Sequence, residues 1–387
     1  MTRDTRAPDT RRIKVAHLTS VHPQRDPRIY LKECRALADA GFDVVLIAPE
    51  DPSARQAGSD GTSAVRIRTV PRRGGRISRM LRTTFDVFRA ARAEKPAICH
   101  FHDPELIPWA FVLRLLGTPV VYDVHEDYHS GMLQKEYLPR WVRSAVALAI
   151  DRVETLAARC FHVVIAEEYY RDRFPGATEV LNYPVVSDEI LESPGCDPLS
   201  GRLLYTGSIT VDRGARIHTS ILAHDANATV TLLGRCSVPL AAELRKIAGS
   251  AADRLTIIGE GTYVDPAHIQ AAYRDGGWMA GLAVFPDTLH YRRKILTKMF
   301  EYMMAGLPIV CSDFPVWRRL IDEIGCGLCV PPNDPRALAE AITRLSENPD
   351  EARAMGRRGR EAVLSRYRWE TQAQNLVDLY RSALRAG

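Results

Sequence analysis

The stretch RRKILTKMFEYMMAGLPIVCSDFPVWRRLI, residues 292–321, decides how the chain is read. Its middle, MFEYMMA at 299–305, carries apolar residues around one acid, Glu301, just after Thr297 and Lys298. That pattern predicts a helix with one face buried. Gly306-Leu307-Pro308 ends it and launches the strand PIVCSD. A cation at Lys298 and an acceptor at Glu301 suit a nucleotide, with phosphate on one and ribose hydroxyls on the other. An ion pair at a helix start is the plainer alternative.

Working outward, the same strand–helix rhythm fills both halves of the chain. RLLYTGS (202–208), TVTLLG (229–234), LTIIG (255–259) and GLAVF (281–285) precede PIVCS (308–312) as strands, with CGLCVPP (326–332) at an edge. In the first half, IKVAHLTS (13–20), DVVLIAP (43–49), AVRIRTV (64–70), AICHFH (97–102), TPVVYDV (118–124) and FHVVIA (161–166) alternate with helical patterns at 29–40, 77–93, 106–116 and 140–158. Such alternation predicts parallel, doubly wound sheets. The fold class is therefore α/β, with two Rossmann-like domains facing each other across a cleft. The expected boundaries are a leader at 1–11 without stable structure, a first domain at 12–185, a linker at 186–200, a second domain at 201–365, and a C-terminal helix at 366–387 that crosses back. The linker rests on VSDEILESPGCDPLS, which is rich in Pro, Ser, Asp and Glu.

With 387 residues, 46% hydrophobic and 26% charged, the chain can bury two cores without disulfides or metal. This excludes a disordered tail, a collagen-like rod and a small stapled domain. No apolar run reaches the ~18–20 residues of a membrane span, and the start lacks an apolar secretory segment. The expected location is cytoplasmic. Eight scattered cysteines then read as reduced core residues, Cys326-Gly-Leu-Cys329 included.

The net charge of +5 is unevenly spread: residues 66–95 hold ten Lys or Arg against Asp86 and Glu94. Interleaved Ile77, Met80, Leu81, Phe85 and Phe88 suit a peripheral contact with the inner face of an anionic membrane, or an anionic substrate. A solvated helix face is the alternative. No reader motif accompanies the patch, so nucleic acid is not expected.

Ligands of doubly wound sheets gather beyond the carboxyl ends of the strands. In the first half those loops hold His22, Asp26 and Arg28 within SVHPQRDPRI, then His102, Asp103 and Glu105, then His125 and Glu126. The first loop has no glycine and is no dinucleotide fingerprint. The His–carboxylate clusters have the donors and acceptors that sugar hydroxyls need. They also contain metal-ligand types, but without compact ligand spacing, and the expectation is no metal.

On KMFEYMMAGLPIVCSD, GCGLCVPPNDPRALAEAI and RYRWETQAQNLVDLY, the chain resembles a retaining glycosyltransferase of the GT-B fold, from the large family that includes sucrose synthases and bacterial mannosyltransferases. ALADAGFDVVLIAP, HFHDPELIP and VVYDVHED are consistent with it. The resemblance implies that the first domain holds the acceptor and the second a nucleotide-sugar, most commonly a UDP-sugar. Glu301 matches the second acid of the family's Glu-x7-Glu motif and would hold the ribose. His125 would lie beside the donor sugar, with Asp103 or Glu105 engaging the acceptor. His22, Asp26, Arg28, His102 and Glu126 fall on that acceptor side. Gly207 opens a loop in which Arg213-Gly214 stands for the Lys-Gly that binds pyrophosphate. Lys298 lies in the nucleotide-binding turn, and Gly261 and Thr262 where the base meets backbone.

Two departures stand out. The first acid of the motif is replaced by Arg293, and Ser208 stands where an arginine is expected. Arg292, Arg293 and Lys294 are candidates to restore positive charge. The resemblance further implies front-face transfer without a metal or other cofactor, to a small-molecule or lipid-linked acceptor in cell-envelope or natural-product glycosylation. A 2-epimerase of the same fold and a catalytically idle nucleotide binder are the alternatives.

Overall fold

A central strand buried on both faces must be apolar throughout, and β2 (Asp43–Pro49) is: Val44 to Ala48 are wholly inaccessible. The computed structural model describes residues 12–51, 65–75, 78–125 and 139–386. The expected leader at 1–11 lies outside them. Contacts divide the chain into two units, one of residues up to Asn182 together with those from Trp369, the other running from Tyr183 to Arg368.

The first unit is a parallel seven-stranded sheet in the order β3-β2-β1-β4-β5-β6-β7. Besides β2, its strands are β1 (Lys14–Leu18), β3 (Val65–Val70), β4 (Ile98–Phe101), β5 (Val120–Val124), β6 (His162–Ile165) and β7 (Thr178–Glu179). Alternation sends odd and even positions to opposite faces. Ala16, Leu18, Cys99, Phe101, Tyr122 and Val124 join the core under the helices Thr84–Glu94 and Ile107–Leu115. Val15, Ile98 and Val121 face the other way, under the helix that begins at Ile29–Cys34 and continues as Arg35–Asp39, and under the last helix, Trp369–Ala386. On that second face the next positions along β1, β4 and β5 are His17, His100 and Asp123, all buried.

The last helix returns to the first unit because Trp369, Leu376, Val377, Tyr380 and Ala383 form one apolar stripe that joins this core. Lys32 Nζ lies 5.6 Å over the Trp369 ring.

The second unit is a parallel six-stranded sheet in the order β10-β9-β8-β11-β12-β13. Its strands are β8 (Arg202–Thr206), β9 (Thr229–Cys236), β10 (Leu255–Glu260), β11 (Ala280–Ala283), β12 (Ile309–Ser312) and β13 (Gly327–Val330). The deciding stretch forms the helix Thr297–Met304 and then β12. The segment 186–200, expected as a linker, is instead built into this unit. It contains the helix Asp188–Leu191, buries Ile190, and ties Asp197 N to Trp278 O at 2.9 Å. Isolated apolar anchors in a polar segment escape a reading based on average composition. Tyr367 likewise stays here, with its ring 5.3 Å from Tyr183.

Among the described residues, no helix is long and apolar enough to cross a membrane. If the last helix is integral to the first unit, Leu376→Ala removes a wholly buried side chain and costs about 2–5 kcal/mol. Hydrogen exchange on the full chain will read this as lost protection in β1 and β2, with β8 and β9 unchanged.

Candidate active site

In each unit the strand order reverses between two neighbours, β1 and β4 in the first, β8 and β11 in the second. Chains leave such neighbours in opposite directions and open a crevice at their carboxyl ends. The polar residues singled out in the sequence gather at these two places.

In the first unit, β1 ends in Thr19 and Ser20, and β4 ends in His102 and Asp103. Asp103 is fully buried: Oδ2 accepts from Thr19 Oγ1 (2.8 Å) and Ser20 N (2.7 Å), while Oδ1 lies 3.3 Å from His22 Nε2. His22 Nδ1 lies 3.4 Å from Asp26, whose Oδ1 accepts from Arg28 N and Ile29 N at the start of the following helix. His22 therefore sits between two carboxylates. Burial alone would lower its pKa, but hydrogen bonds to Asp103 and Asp26 outweigh burial and raise it to about 10. Burial opposes ionisation of Asp103 as well, yet the His22 contact brings it down to about 2.

His125 links this group to the next. Its Nε2 is 3.1 Å from His22 Nε2 and its Nδ1 3.0 Å from Asp123. Asp123 in turn takes Arg28 in a two-pronged contact at 3.0 and 2.7 Å, and His102 Nδ1 at 3.0 Å. Despite burial, Arg28 holds Asp123 well below the usual carboxylate range. Arg28 also donates to Val180 O.

Two residues expected on the acceptor side, Arg28 and His102, are instead buried with their polar groups engaged inside the unit, away from an acceptor. Asp103, expected as catalytic, is fully buried, with its carboxylate against Thr19, Ser20 and His22. The residues with exposed surface are His22, Asp26, Glu105 and His125. Glu105 accepts from Ser20 Oγ at 2.7 Å and pairs with Arg79 at 3.1 Å. Glu126 lies outside the described residues.

Sequence reading missed Thr19, Ser20 and Arg79 here, and also His17, Glu33, His100 and Tyr380 beneath. The available signal was histidine at period two, His100 and His102, in an otherwise apolar central strand.

In the second unit, β8 ends in Thr206-Gly207. Gly207 has φ +95° and stacks on its neighbour closely: a Cβ on Gly234 would meet Gly207 O at 2.0 Å. Lys298, half-buried, donates to Thr206 O from the first turn of its helix. Its Nζ lies 3.6 Å from the Tyr205 ring centroid and 5.3 Å from that of Phe285, a cation held on aromatic faces. Burial first, then the nearby Arg213, pushes the Lys298 pKa well down. Arg213 closes a single turn, Val211–Arg213, and Gly214 follows at φ +80°. A Cβ on Gly214 would stand 1.9 Å from Val284 O, so only glycine lets this loop lie against the end of β11.

Glu301 shares the Lys298 helix and accepts from Tyr273 Oη at 3.0 Å; Tyr273 bonds Thr206 Oγ1 at 2.7 Å. The structure thus brings Gly207, Arg213, Lys298 and Glu301 together around one strand end. Gly261 and Thr262 are exposed on the loop after β10, with Gly261 N donating to Cys236 O. Arg293 is exposed at the end of the helix Leu289–Arg293, and Arg292 is tied to Asp287 through two 2.5 Å contacts. Tyr205, Tyr273 and Phe285 went unread in the sequence because aromatic residues in strands and helices look like core.

Comparison with known proteins gives this geometry its class. The glycosyl transferase 4-like domain matches residues 29–177, and a glycosyl transferase-like domain matches residues 239–378. The phosphatidyl-myo-inositol mannosyltransferase of Mycobacterium leprae is 30% identical over 302 residues, covering 75% of this chain and 74% of that one. Sucrose-phosphate synthase from Thermosynechococcus elongatus superposes with a TM-score of 0.73 at 20% identity, over 97% of this chain and all of that one. Anabaena HepE, solved with UDP-glucose, gives 0.68 at 13% identity over 96% of this chain and 100% of its own. The chain belongs to the glycosyltransferases, and its two parallel-sheet units are those of the GT-B fold.

Two measurements check the site's framework. His22 has a raised folded-state pKa, so its stabilising contribution is complete below its ordinary value of 6.5 and fades as pH rises through 10. Resistance of the first unit to urea should therefore fall between pH 7 and 10, and His22→Gln should flatten that slope. Gly214→Ala should destabilise the second unit by more than the ~1 kcal/mol of a left-handed alanine, whereas Gly41→Ala, with open space around its φ +94°, should cost about that much.

Proposed function

We propose that this glycosyltransferase moves a sugar from a UDP-sugar to an acceptor hydroxyl with retention of anomeric configuration, without a metal at the diphosphate. The observation that carries the reading is the meeting of Arg213, Lys298 and Glu301 at the end of β8, beside a glycine-lined backbone. As the bond to the sugar breaks, the diphosphate gathers charge. Positive groups already fixed in place stabilise it without reorganisation, and one such contact is worth on the order of 3 kcal/mol. Arg213 fills that role, and Lys298 joins it by taking up a proton as the phosphate arrives.

Glu301, oriented by Tyr273, holds the ribose, and the loop at Gly261 and Thr262 takes the base. Arg292 is neutralised by Asp287, so of the candidate cluster Arg293 is the exposed cation that stands where the family has an acid. On the first unit, His125 orients the donor sugar, and the charge of the His22 imidazolium, held between Asp103 and Asp26, lies beside it. Glu105 is the acceptor-side carboxylate. Asp103 and Asp123 are buried in hydrogen bonds, which supports front-face attack in which a diphosphate oxygen takes the acceptor proton. Exposed Met80, Leu81 and Phe85 beside exposed Arg72, Arg82 and Arg89 support a peripheral membrane contact and a lipid-linked acceptor.

Calorimetry against UDP, GDP, ADP and dTDP, with and without Mg²⁺, tests the donor. UDP should bind selectively and independently of Mg²⁺, and Lys298→Met should weaken it about 100-fold. Because the Lys298 pKa is depressed and an arriving phosphate raises it, binding should take up protons and weaken as pH rises. Binding of none of the four would overturn the donor site. UDP-sugar consumed without an acceptor would instead identify an epimerase. Flotation with anionic vesicles, reduced by Leu81→Glu, tests the membrane contact.

A further inference from the structure

Beneath the first unit's site, three imidazoles and a carboxylate converge in a space that nothing in the proposed transfer uses. His17 lies on β1, His100 on β4, His102 just past its end, and Glu33 on the helix above; all four are fully buried. Glu33 Oε2 is 3.9 Å from His17 Nδ1, 4.0 Å from His100 Nε2 and 4.0 Å from His102 Nε2. His17 Nδ1 and His102 Nε2 are 3.0 Å apart, and the four atoms all lie within 4.8 Å of one another. We propose that these residues form a structural divalent transition-metal site of the Zn²⁺ class, with His17 Nδ1, His100 Nε2, His102 Nε2 and Glu33 Oε2 as ligands.

The outer nitrogens carry the argument. His102 Nδ1 meets the Asp123 carboxylate at 3.0 Å. His17 Nε2 and His100 Nδ1 both meet the hydroxyl of Tyr380, at 3.1 and 2.9 Å. Each imidazole is thus held by a polar partner on the nitrogen turned away from Glu33, the arrangement that orients metal-binding histidines.

A metal-free assignment of protons can also be written. Asp123 requires a proton on His102 Nδ1, so His102 Nε2 accepts from His17 Nδ1. His17 Nε2 then accepts from Tyr380, whose oxygen accepts from His100 Nδ1. This chain stops at His100 Nε2, a buried lone pair without a hydrogen bond, facing Glu33 Oε2, which likewise has none, while Glu33 Oε1 lies 3.1 Å from Arg28 Nε. A buried unsatisfied polar group costs free energy. A cation in the centre satisfies His100 Nε2 and Glu33 Oε2 together.

Bond lengths of ~2.0–2.2 Å place tetrahedral ligands about 3.3 Å apart. To reach this the 3.0 Å pair opens by about 0.3 Å and the 4.0 Å pairs close by about 0.7 Å, so the ligands draw in around the ion. Three nitrogens and one oxygen suit Zn²⁺ better than the all-oxygen shells of Mg²⁺ or Ca²⁺. With every ligand buried, the ion would enter during folding and join β1, β4 and the Glu33 helix, with Tyr380 adding the last helix. It is separate from the diphosphate site on the second unit.

The test uses the full chain, produced with zinc in the medium and purified without metal-affinity resin. Elemental analysis should find about one equivalent of Zn²⁺ that native-state chelator does not remove. After unfolding with chelator, refolding in Co²⁺ should give the visible bands of four-coordinate cobalt. Those bands should vanish in His100→Gln, and in Tyr380→Phe the Co²⁺ affinity should fall about 10–100-fold. Wild-type protein that refolds to native circular dichroism with neither zinc nor cobalt bands would overturn the site. So would a metal retained in His100→Gln, which would place the ion elsewhere.

Discussion

A carboxylate shut away from water must be paired or protonated, and Asp123 is paired on every side. Arg28 grips it with two nitrogens, and His102 and His125 approach its Oδ2 at 3.0 Å each. Through Arg28 the same group reaches Val180 O, beyond the far edge strand, and Glu33 at 3.1 Å. Removing one partner of such a buried pair leaves an uncompensated charge, a loss of about 3–5 kcal/mol. The positions of His125, and through it of His22, depend on this ion pair. The polar edge of the first unit is thus a surface expression of an ionic core.

The second unit solves the matching problem with backbone. Its strand ends crowd so closely that Gly234 leaves no space for a side chain against Gly207 O, and Gly214 none against Val284 O. In the same place Lys298 reaches Thr206 O across the face of the Tyr205 ring. One unit positions its chemistry with buried charge, the other with missing side chains. Both do so where the strand order reverses, because there the following loops diverge and leave a crevice.

The alternating pattern made the fold legible. Every strand expected in the sequence appears, and the added strand, β7, is only two residues long. Period two in β1 and β4 carried both the apolar core and the histidines, but a histidine in a buried strand has no surface signature. Hence His17 and His100 went unread while His102, at the strand end, was placed on the acceptor side. The segment 186–200 shows the converse. Its composition is that of a linker, yet Ile190, with Val186, Leu191 and Cys196 packed beside it, and the Asp197–Trp278 hydrogen bond anchor it.

By itself the sequence determined two parallel sheets, the returning last helix, and which loops carry polar groups. These follow from local periodicity, from helix stops such as Gly306-Leu307-Pro308, and from apolar stripes, all of which act over a few residues. Only the tertiary structure decided which polar groups are paired with one another and which remain for a ligand. Arg28 and Asp123 are 95 positions apart, and Tyr380 and His17 are 363 apart. Burial and pairing are properties of such distant encounters, and no local pattern encodes them.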